Sequence, residues 1–208
     1  MNASENHFFD VGGDKFVEGQ TEDNSGALVA KLKQTKGAIS YLALSFKDDL
    51  TVAQNRRCLE AELPQAVRSA AAKAEPLALL FIDVDDLKRV NTAHGHPVGS
   101  LLLESVAATA QRLCRAHDRL YRYGGDEFCI LMPGTTAQGA RKLGERLLQV
   151  LQEHPLDLGR DQLAVSLSAG VAAYPEHADG AGRLIEQADH ALLRAKQEGK
   201  GRVMVALQ

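Results

Sequence analysis

This chain of 208 residues has few cysteines, no large excess of positive or negative charge and no long apolar run. Each of these absences excludes a class of protein. The three cysteines are scattered and none lies in a C-x-x-C pair, which argues against a disulfide framework and a zinc site. No apolar run approaches the ~18 residues of a membrane span, and the acidic, polar N-terminus does not resemble a secretory signal. The net charge of -3 gives no reason to expect a nucleic-acid partner. We therefore expect a protein of the reduced cytoplasmic compartment, with no membrane and no nucleic acid as partner.

Two patterns distinguish the first 47 residues from the rest of the chain. Residues 1–26 are rich in Asp, Glu, Asn, Gly and Ser, which predicts a flexible N-terminal arm. Residues 27–47 predict a helical stalk, because apolar positions alternate at spacings of four and three, as in a short coiled coil: Leu28, Leu32, Thr35, Ile39, Leu42 and Phe46. A helix packed on its own domain remains the alternative, since so short a seam is marginal alone.

From residue 48 to residue 208 the chain alternates between helical and strand periodicity, which predicts one further domain. The apolar run "LALLFIDV" at 77–84 is typical of a strand covered on both faces. Pro97 suits the first turn of a helix that reaches about residue 114. The other predicted elements are a helix ending before Pro76, a hairpin of 118–123 with 127–132, a helix around 140–150, a strand at 163–174, a helix at 184–198 and a strand at 201–207. Their order predicts an α+β, ferredoxin-like fold with a central antiparallel sheet and surrounding helices.

The stretch "RYGGDEFCIL" at residues 122–131 places two glycines and two adjacent carboxylates between strand residues. Strands disfavour Asp and Gly, and like charges that lie close together repel. Such a local conflict indicates a tight turn, a metal site or a catalytic site, and a solvated turn is the plain alternative.

Asp83 lies near the end of the first predicted core strand, and Asp85 and Asp86 follow it. In a ferredoxin-like sheet this strand neighbours the strands of the central hairpin, so Asp83 is expected to approach Asp126 and Glu127. Three carboxylates around one point are costly without a cation, and Mg²⁺ or Mn²⁺ typically binds such oxygens together with substrate phosphates. These ions serve phosphoryl transfer. The alternative is that these aspartates cap the next helix, which is the favoured role for Asp86.

Three lysines lie where a phosphate site would need cations. Lys88 follows the acidic strand end, while Lys196 and Lys200 lie four residues apart at the end of the last helix. An ordinary basic helix terminus that complements the helix dipole is the alternative.

These motifs together resemble the GGDEF family, the diguanylate cyclases, from about residue 48 to residue 205. Besides "RYGGDEF", the similar stretches are "DDLTVAQNRR", "FIDVDDLKRVNTAHGHPVGS", "SLSAGVA" and "ADHALLRAKQEGKGR". The resemblance implies a palm-like nucleotidyl-cyclase fold and an enzyme that condenses two GTP molecules into cyclic di-GMP with release of two pyrophosphates. Because one domain binds one GTP, it also implies a homodimer.

The resemblance also implies residue roles. Asp83, the Val84 carbonyl, Asp126 and Glu127 match metal-binding positions for Mg²⁺ or Mn²⁺, and the three acids match catalytic positions, with Asp126 helping to deprotonate the attacking 3′-hydroxyl. Asn91 matches the residue that hydrogen-bonds the guanine edge. The substrate-binding positions as a set are Lys88, Asn91, Ser100, Gly124, Gly125, Lys196 and Lys200.

The tetrapeptide "RAHD" at residues 115–118 matches the R-x-x-D motif that binds product and inhibits in this family. Arg115 suits guanine or phosphate, and Asp118 suits the guanine N–H groups. Arg146 matches a further arginine of that inhibitory site.

Several positions depart from the family pattern. Val52 and Ala53 replace Gly-Leu, Leu87 replaces Phe, Thr92 replaces Asp, and Ser100 replaces an Asp that reads guanine. Ser100 therefore leaves open a cyclase that also makes cyclic GMP-AMP. A catalytically silent receptor of cyclic di-GMP and a pure interaction protein are two further hypotheses. Because no sensory domain is recognised, we expect a separate regulatory protein to bind the N-terminal helix.

Overall fold

The computed structural model describes residues 8–11, 14–17, 48, 50–159 and 161–207, with side chains described from residue 48 onward. The chain divides into two units, Met1–Phe46 and Lys47–Gln208. In the first unit, strands β1 (Phe8–Val11) and β2 (Asp14–Val17) form an antiparallel hairpin.

This hairpin lies in the segment for which the sequence predicts a flexible arm. The available signal is Gly12-Gly13 between two short runs that contain Phe and Val, a composition typical of a hairpin turn. The predicted helical stalk at residues 27–47 lies outside the described residues, so it stays a prediction.

The second unit contains the helices and the remaining strands. In chain order they are β3 (Gln54–Asn55), α1 (Arg56–Lys73), β4 (Leu77–Val84), α2 (Leu87–His94), α3 (His96–Leu113), β5 (Arg119–Arg122), β6 (Glu127–Pro133), α4 (Ala137–Glu153), β7 (Leu156–Asp157), β8 (Gln162–Leu163), β9 (Leu167–Tyr174), α5 (Ala181–Gln197) and β10 (Val203–Val205). None of the helices in the described part of the chain has the length and apolar character of a membrane span.

Six strands form one mixed sheet in the order β10-β9-β4-β6-β5-β3. The inner strands β9, β4, β6 and β5 pair antiparallel, which confirms the ferredoxin-like order. The edge strands β10 and β3 pair parallel with their neighbours, so the sheet is not antiparallel throughout. One expectation is corrected: β4 neighbours only one strand of the hairpin, β6, because β5 lies on the outer side of β6 and β9 occupies the other side of β4.

Both faces of β4 are covered, as its unbroken apolar sequence predicts. Its even-numbered residues, such as Leu80 and Ile82, join a core with α3 and α4. Helices α1 and α5 pack on the opposite face, and α5 runs along β9 and β4. A Cβ at Gly170 of β9 would lie 2.0 Å from the backbone oxygen of Ala188, so this glycine lets α5 contact the sheet backbone directly.

Candidate active site

The end of the central strand pair brings the predicted carboxylates together. Asp83 of β4 lies opposite Glu127 of β6, and the Val84 N–H donates to the Asp126 carbonyl over 3.0 Å. Because β4 and β6 are antiparallel, the end of β4 that contains Asp83 lies beside the beginning of β6 at Glu127. An antiparallel register therefore converts two distant motifs into one site.

Burial and mutual repulsion both act on these acids. Burial raises the pKa of Asp83, and Asp126 and Asp85 raise it further, while Lys196 opposes them. Burial also raises the pKa of Glu127, and the charges of Asp83 and Asp126 add to that effect. The Nζ of Lys196 lies 2.7 Å from Asp83 Oδ2 and supplies the nearest positive charge. The site thus favours a cation.

The donor chemistry of these residues fits a hard divalent ion that is shared with a substrate. Among the residues that the structure describes, no group of three or more His, Cys, Asp or Glu side chains is placed to hold a metal ion by itself. Mg²⁺ usually takes one or two protein carboxylates and completes its octahedron with water and phosphate oxygens. Asp83 and Glu127, with a backbone carbonyl, match that partial contribution.

The three predicted lysines lie in different surroundings. Lys196, in the last turn of α5, contacts Asp83, whereas Lys200 Nζ lies 2.8 Å from Asp86 Oδ1. The hydrogen bond from Lys200 lowers the pKa of Asp86, and the same bond raises the pKa of Lys200. Lys88 is exposed on α2 and lines a groove.

The favoured capping role of Asp86 is wrong in one respect. Asp86 occupies the N-cap position of α2, but its side chain makes no capping hydrogen bond. Its φ of 59° lies in the left-handed region, whereas a capping side chain normally extends from the β region. The carboxylate is therefore free to pair with Lys200.

A groove of about 680 Å³ lies beside the Gly-Gly turn. Five predicted residues line it, namely Lys88, Asn91, Ser100, Gly125 and Asp126. The Oδ1 atom of Asn91 is buried without a hydrogen-bond partner, which suits a donor from a ligand. Gly99 permits this arrangement, because a Cβ there would lie 1.9 Å from that oxygen. Gly99 is absent from the predicted site, because its role depends on the contact between α2 and α3.

The two glycines of the turn have different surroundings. A Cβ at Gly124 would lie 2.5 Å from Glu127 Oε2, whereas a Cβ at Gly125 would meet no atom within 4 Å. Gly124 therefore leaves room for the Glu127 carboxylate, and Gly125 leaves room in the groove.

Arg122 connects this turn to the beginning of the domain and is also absent from the predicted site. Its Nη2 donates to the Gly125 carbonyl over 2.8 Å, and its Nη1 donates to Asp48 over 3.0 Å. Asp48 also accepts from the backbone N–H and the hydroxyl of Thr51. The motif containing Asp48 and the glycine turn are thus one connected unit.

The predicted inhibitory residues lie at the end of α3 and on α4. Asp118 is 6% exposed, and its Oδ2 accepts from the Arg115 backbone N–H over 2.7 Å, so it closes its own turn. Its Oδ1 is buried without a hydrogen-bond partner. Arg115 and Arg146 are exposed.

Comparison with known proteins shows which family the chain resembles. Residues 45–202 match the family described as "Diguanylate cyclase, GGDEF domain". Diguanylate cyclase TpbB of Pseudomonas aeruginosa is 34% identical over 174 residues, which cover 83% of this chain and 39% of the relative. The chain spans about a fifth to two fifths of the length of the curated relatives it matches, from 22% to 39%.

Two solved structures have the same fold. The GGDEF domain of DgcB from Caulobacter crescentus, in complex with c-di-GMP, has a TM-score of 0.73 and 26% identity, and the match covers 77% of this chain and 95% of that one. Diguanylate cyclase SiaD of Pseudomonas aeruginosa, in complex with its activator SiaC, has a TM-score of 0.74 and 30% identity, with coverage of 86% and 70%. The chain therefore belongs to the GGDEF family of diguanylate cyclases.

Proposed function

We propose that this chain condenses two molecules of GTP into cyclic di-GMP and releases two pyrophosphates. The observation that carries the proposal is the pair Asp83 and Glu127 at one strand end, beside a groove lined by Asn91, whose Oδ1 has no hydrogen-bond partner. The carboxylates suit a triphosphate with its metal, and the amide suits a guanine edge.

Asp83, Asp126, Glu127 and the Val84 carbonyl would hold Mg²⁺ or Mn²⁺. When bound, the ion neutralises phosphate charge and aligns the attacking and leaving oxygens. Asn91 and Ser100 orient the base in the groove. Lys88, Lys196 and Lys200 bind phosphate oxygens, and Gly124 and Gly125 let the nucleotide approach the backbone.

Each half of the reaction forms one phosphodiester bond. The 3′-oxygen of one GTP attacks the α-phosphorus of the other, the bond from that phosphorus to the bridging oxygen breaks, and pyrophosphate leaves. The proton of the 3′-hydroxyl passes to the Asp126 carboxylate and from there to water. A second, equivalent step closes the ring. Because the groove beside the Gly-Gly turn would hold one nucleotide, the two nucleotides are held by two chains related by two-fold symmetry.

Product inhibition at Arg115, Asp118 and Arg146 belongs to the proposal. It is supported by the c-di-GMP complex of DgcB and by the exposure of both arginines. Asp118 would contribute its unpartnered Oδ1 while its other oxygen keeps the turn closed. Unchanged inhibition by cyclic di-GMP in Arg115→Ala would rule this site out.

A separate protein is proposed to regulate the chain through the N-terminal helix predicted at residues 27–47. The complex of SiaD with its activator SiaC is the supporting precedent.

The three free cysteines and the proposed nucleotide substrate fit a reduced, cytoplasmic location.

The direct test is incubation of the purified chain with GTP and Mg²⁺, followed by chromatographic analysis of the products. We expect cyclic di-GMP and pyrophosphate in a ratio of one to two. Binding of cyclic di-GMP without turnover would instead support the silent receptor, and neither binding nor turnover would support an interaction protein.

A further inference from the structure

Asp85 is a buried carboxylate to which the proposed reaction assigns no role. It is 8% exposed and accepts three hydrogen bonds, from Ser166 Oγ at 2.8 Å, Ser168 Oγ at 2.8 Å and the Gly201 backbone N–H at 3.2 Å. Its own N–H donates to the Ser166 carbonyl over 3.0 Å. A buried carboxylate is tolerated only when donors surround it, and all of these donors come from the protein itself.

These hydrogen bonds join the acidic end of β4 to the turn that follows α5. In that turn Lys200 has a φ of 61° and Gly201 a φ of 58°, so consecutive residues are in the left-handed region. A non-glycine residue in this region is strained, so the turn needs contacts that hold it. The bond from Gly201 to Asp85 is such a contact, and the Lys200 N–H adds a second to the Ala195 carbonyl.

The same two segments meet at three neighbouring points. Asp83 contacts Lys196, Asp85 contacts Gly201, and Asp86 contacts Lys200. Each of the two outer contacts includes a lysine that is also proposed to bind phosphate, so both contacts are expected to change when a nucleotide enters. The contact between Asp85 and Gly201 is buried and uses a backbone N–H, so it can stay unchanged when a nucleotide binds.

We propose that Asp85 is a positioning residue, which fixes the lysine turn at residues 196–201 relative to Asp83 and thereby sets where Lys196 and Lys200 meet the substrate phosphates. It acts through Gly201 and the two serines and does not touch the nucleotide. The inference rests on the proposed function, because the phosphates are those of the proposed substrate. It assigns Asp85 to phosphate recognition and leaves base recognition to the groove lined by Asn91 and Ser100.

The test compares two ligands that share a base and differ in their phosphates. Affinities for 3′-deoxy-GTP, which lacks the attacking hydroxyl, and for GMP are measured by titration calorimetry with Mg²⁺. In Asp85→Ala we expect affinity for 3′-deoxy-GTP to fall about ten-fold, the size of one charge-assisted hydrogen bond, with GMP affinity unchanged. In Asp85→Asn the amide oxygen still accepts from the Gly201 N–H, and a serine hydroxyl can accept from the amide N–H. We therefore expect this variant to keep the wild-type ratio of the affinity for 3′-deoxy-GTP to the affinity for GMP.

Glu62→Ala is the control for loss of a half-buried acceptor, because Glu62 accepts from Tyr121 Oη and Cys58 Sγ and not from the lysine turn. It should lower the melting temperature without changing the ratio of the two affinities. Should Asp85→Ala fail to fold by circular dichroism, Asp85→Ser replaces it, since its hydroxyl is one bond too short for Gly201.

If Asp85→Ala, or Asp85→Ser in its place, binds both ligands as the wild type does or loses affinity equally for both, the inference is overturned and the proposed function stands. A wild-type chain that binds 3′-deoxy-GTP no more tightly than GMP contradicts the proposed function itself.

Discussion

Asp83 lies between the Lys196 ammonium group and Glu127, so its negative charge is compensated only while Lys196 stays beside it. Lys196 reaches this position from a helix that packs directly on the sheet at Gly170, so its backbone is fixed while its long side chain is flexible. A divalent ion at Asp83 would replace the ammonium group, which then becomes available to a phosphate. One lysine thus compensates the acids before the substrate and its metal arrive.

Lys196→Met should therefore have opposite effects on two ligands. Without nucleotide, the variant should bind Mn²⁺ more tightly, by roughly ten-fold, because the competing ammonium charge is gone. It should bind 3′-deoxy-GTP with Mg²⁺ more weakly, because a phosphate contact is lost. Mn²⁺ binding is measured by electron paramagnetic resonance and nucleotide binding by calorimetry. Weaker Mn²⁺ binding in this variant would show that Lys196 does not compete with the metal.

Ser100 is the residue on which base selectivity depends in this account. It lines the groove with Asn91, and its hydroxyl can donate or accept, whereas an ionised Asp only accepts. A site that demands a hydrogen bond rejects the wrong base better than one that permits it.

We expect cyclic di-GMP as the main product and some mixed GMP-AMP dinucleotide when ATP is abundant. Ser100→Asp should suppress the mixed product in a competition assay with equal GTP and ATP. Exclusive cyclic di-GMP from the wild-type chain would mean that other contacts select the base.

At the scale of elements, strand patterns were the most predictable feature and long-range polar contacts the least. The continuous apolar run of β4 predicted its bounds, Leu77–Val84, because both faces of that strand are buried. Strand β9 begins at Leu167 and not at residue 163, because Leu163 belongs to the short strand β8, which pairs with β7. Helix α2 was not predicted separately, because among its residues only Val90 is buried and the pattern is too short to recognise.

Among the residues at the site, those that conflict with their local sequence were predictable and those that depend on long-range contacts were not. Asp83, Asp126 and Glu127 conflict with their local sequence and could be recognised, and the sheet order then brought them together. Asp85 and Gly99 have no local conflict. Their roles come from residues distant in the sequence, such as Ser168 for Asp85, and no periodicity reports such contacts.

The pair Asp48 and Arg122 connects two elements and leads to a prediction about pH. Burial alone would raise the pKa of Asp48, but hydrogen bonds from Thr51 and Arg122 outweigh it and lower the pKa below the ordinary 3.8. A lowered folded-state pKa stabilises the protein above the ordinary value, and this stabilisation is lost as the pH falls through the folded-state pKa. Asp48→Asn should therefore unfold more easily at pH 7, by about 1 kcal/mol, and match the wild type in strong acid.

Urea unfolding at a series of pH values measures this difference, with Asp179→Asn as a control at an exposed carboxylate. A difference between Asp48→Asn and the wild type that persists in strong acid would show that the carboxylate charge is not its source.

At the scale of the whole molecule, the proposed reaction depends on how two chains meet, because the groove beside the Gly-Gly turn would hold only one of the two nucleotides. The heptad pattern at residues 27–47 predicts a helix that pairs two chains, and two-fold symmetry suits a reaction that joins two like nucleotides.

Deletion of residues 1–47 should lower both the dimer fraction and the specific activity, because the catalytic domains then meet only by diffusion. Sedimentation velocity and product formation are measured at the same protein concentrations, and activity should recover as the concentration rises. A truncated chain that is as dimeric and as active as the full chain would remove the stalk from the account.

The most direct measurement is the rate of cyclic di-GMP formation from GTP as a function of Mg²⁺ concentration, in the wild type and in Glu127→Gln. Glu145→Gln, the same chemical change at an exposed pair with Arg141 on α4, is the control. We predict that Glu127→Gln folds normally and loses activity by a factor of roughly one hundred or more at every Mg²⁺ concentration, while the control resembles the wild type. Near-normal activity of Glu127→Gln, or formation of cyclic di-GMP by the wild type without any divalent ion, would contradict the assignment of this strand end as the catalytic metal site.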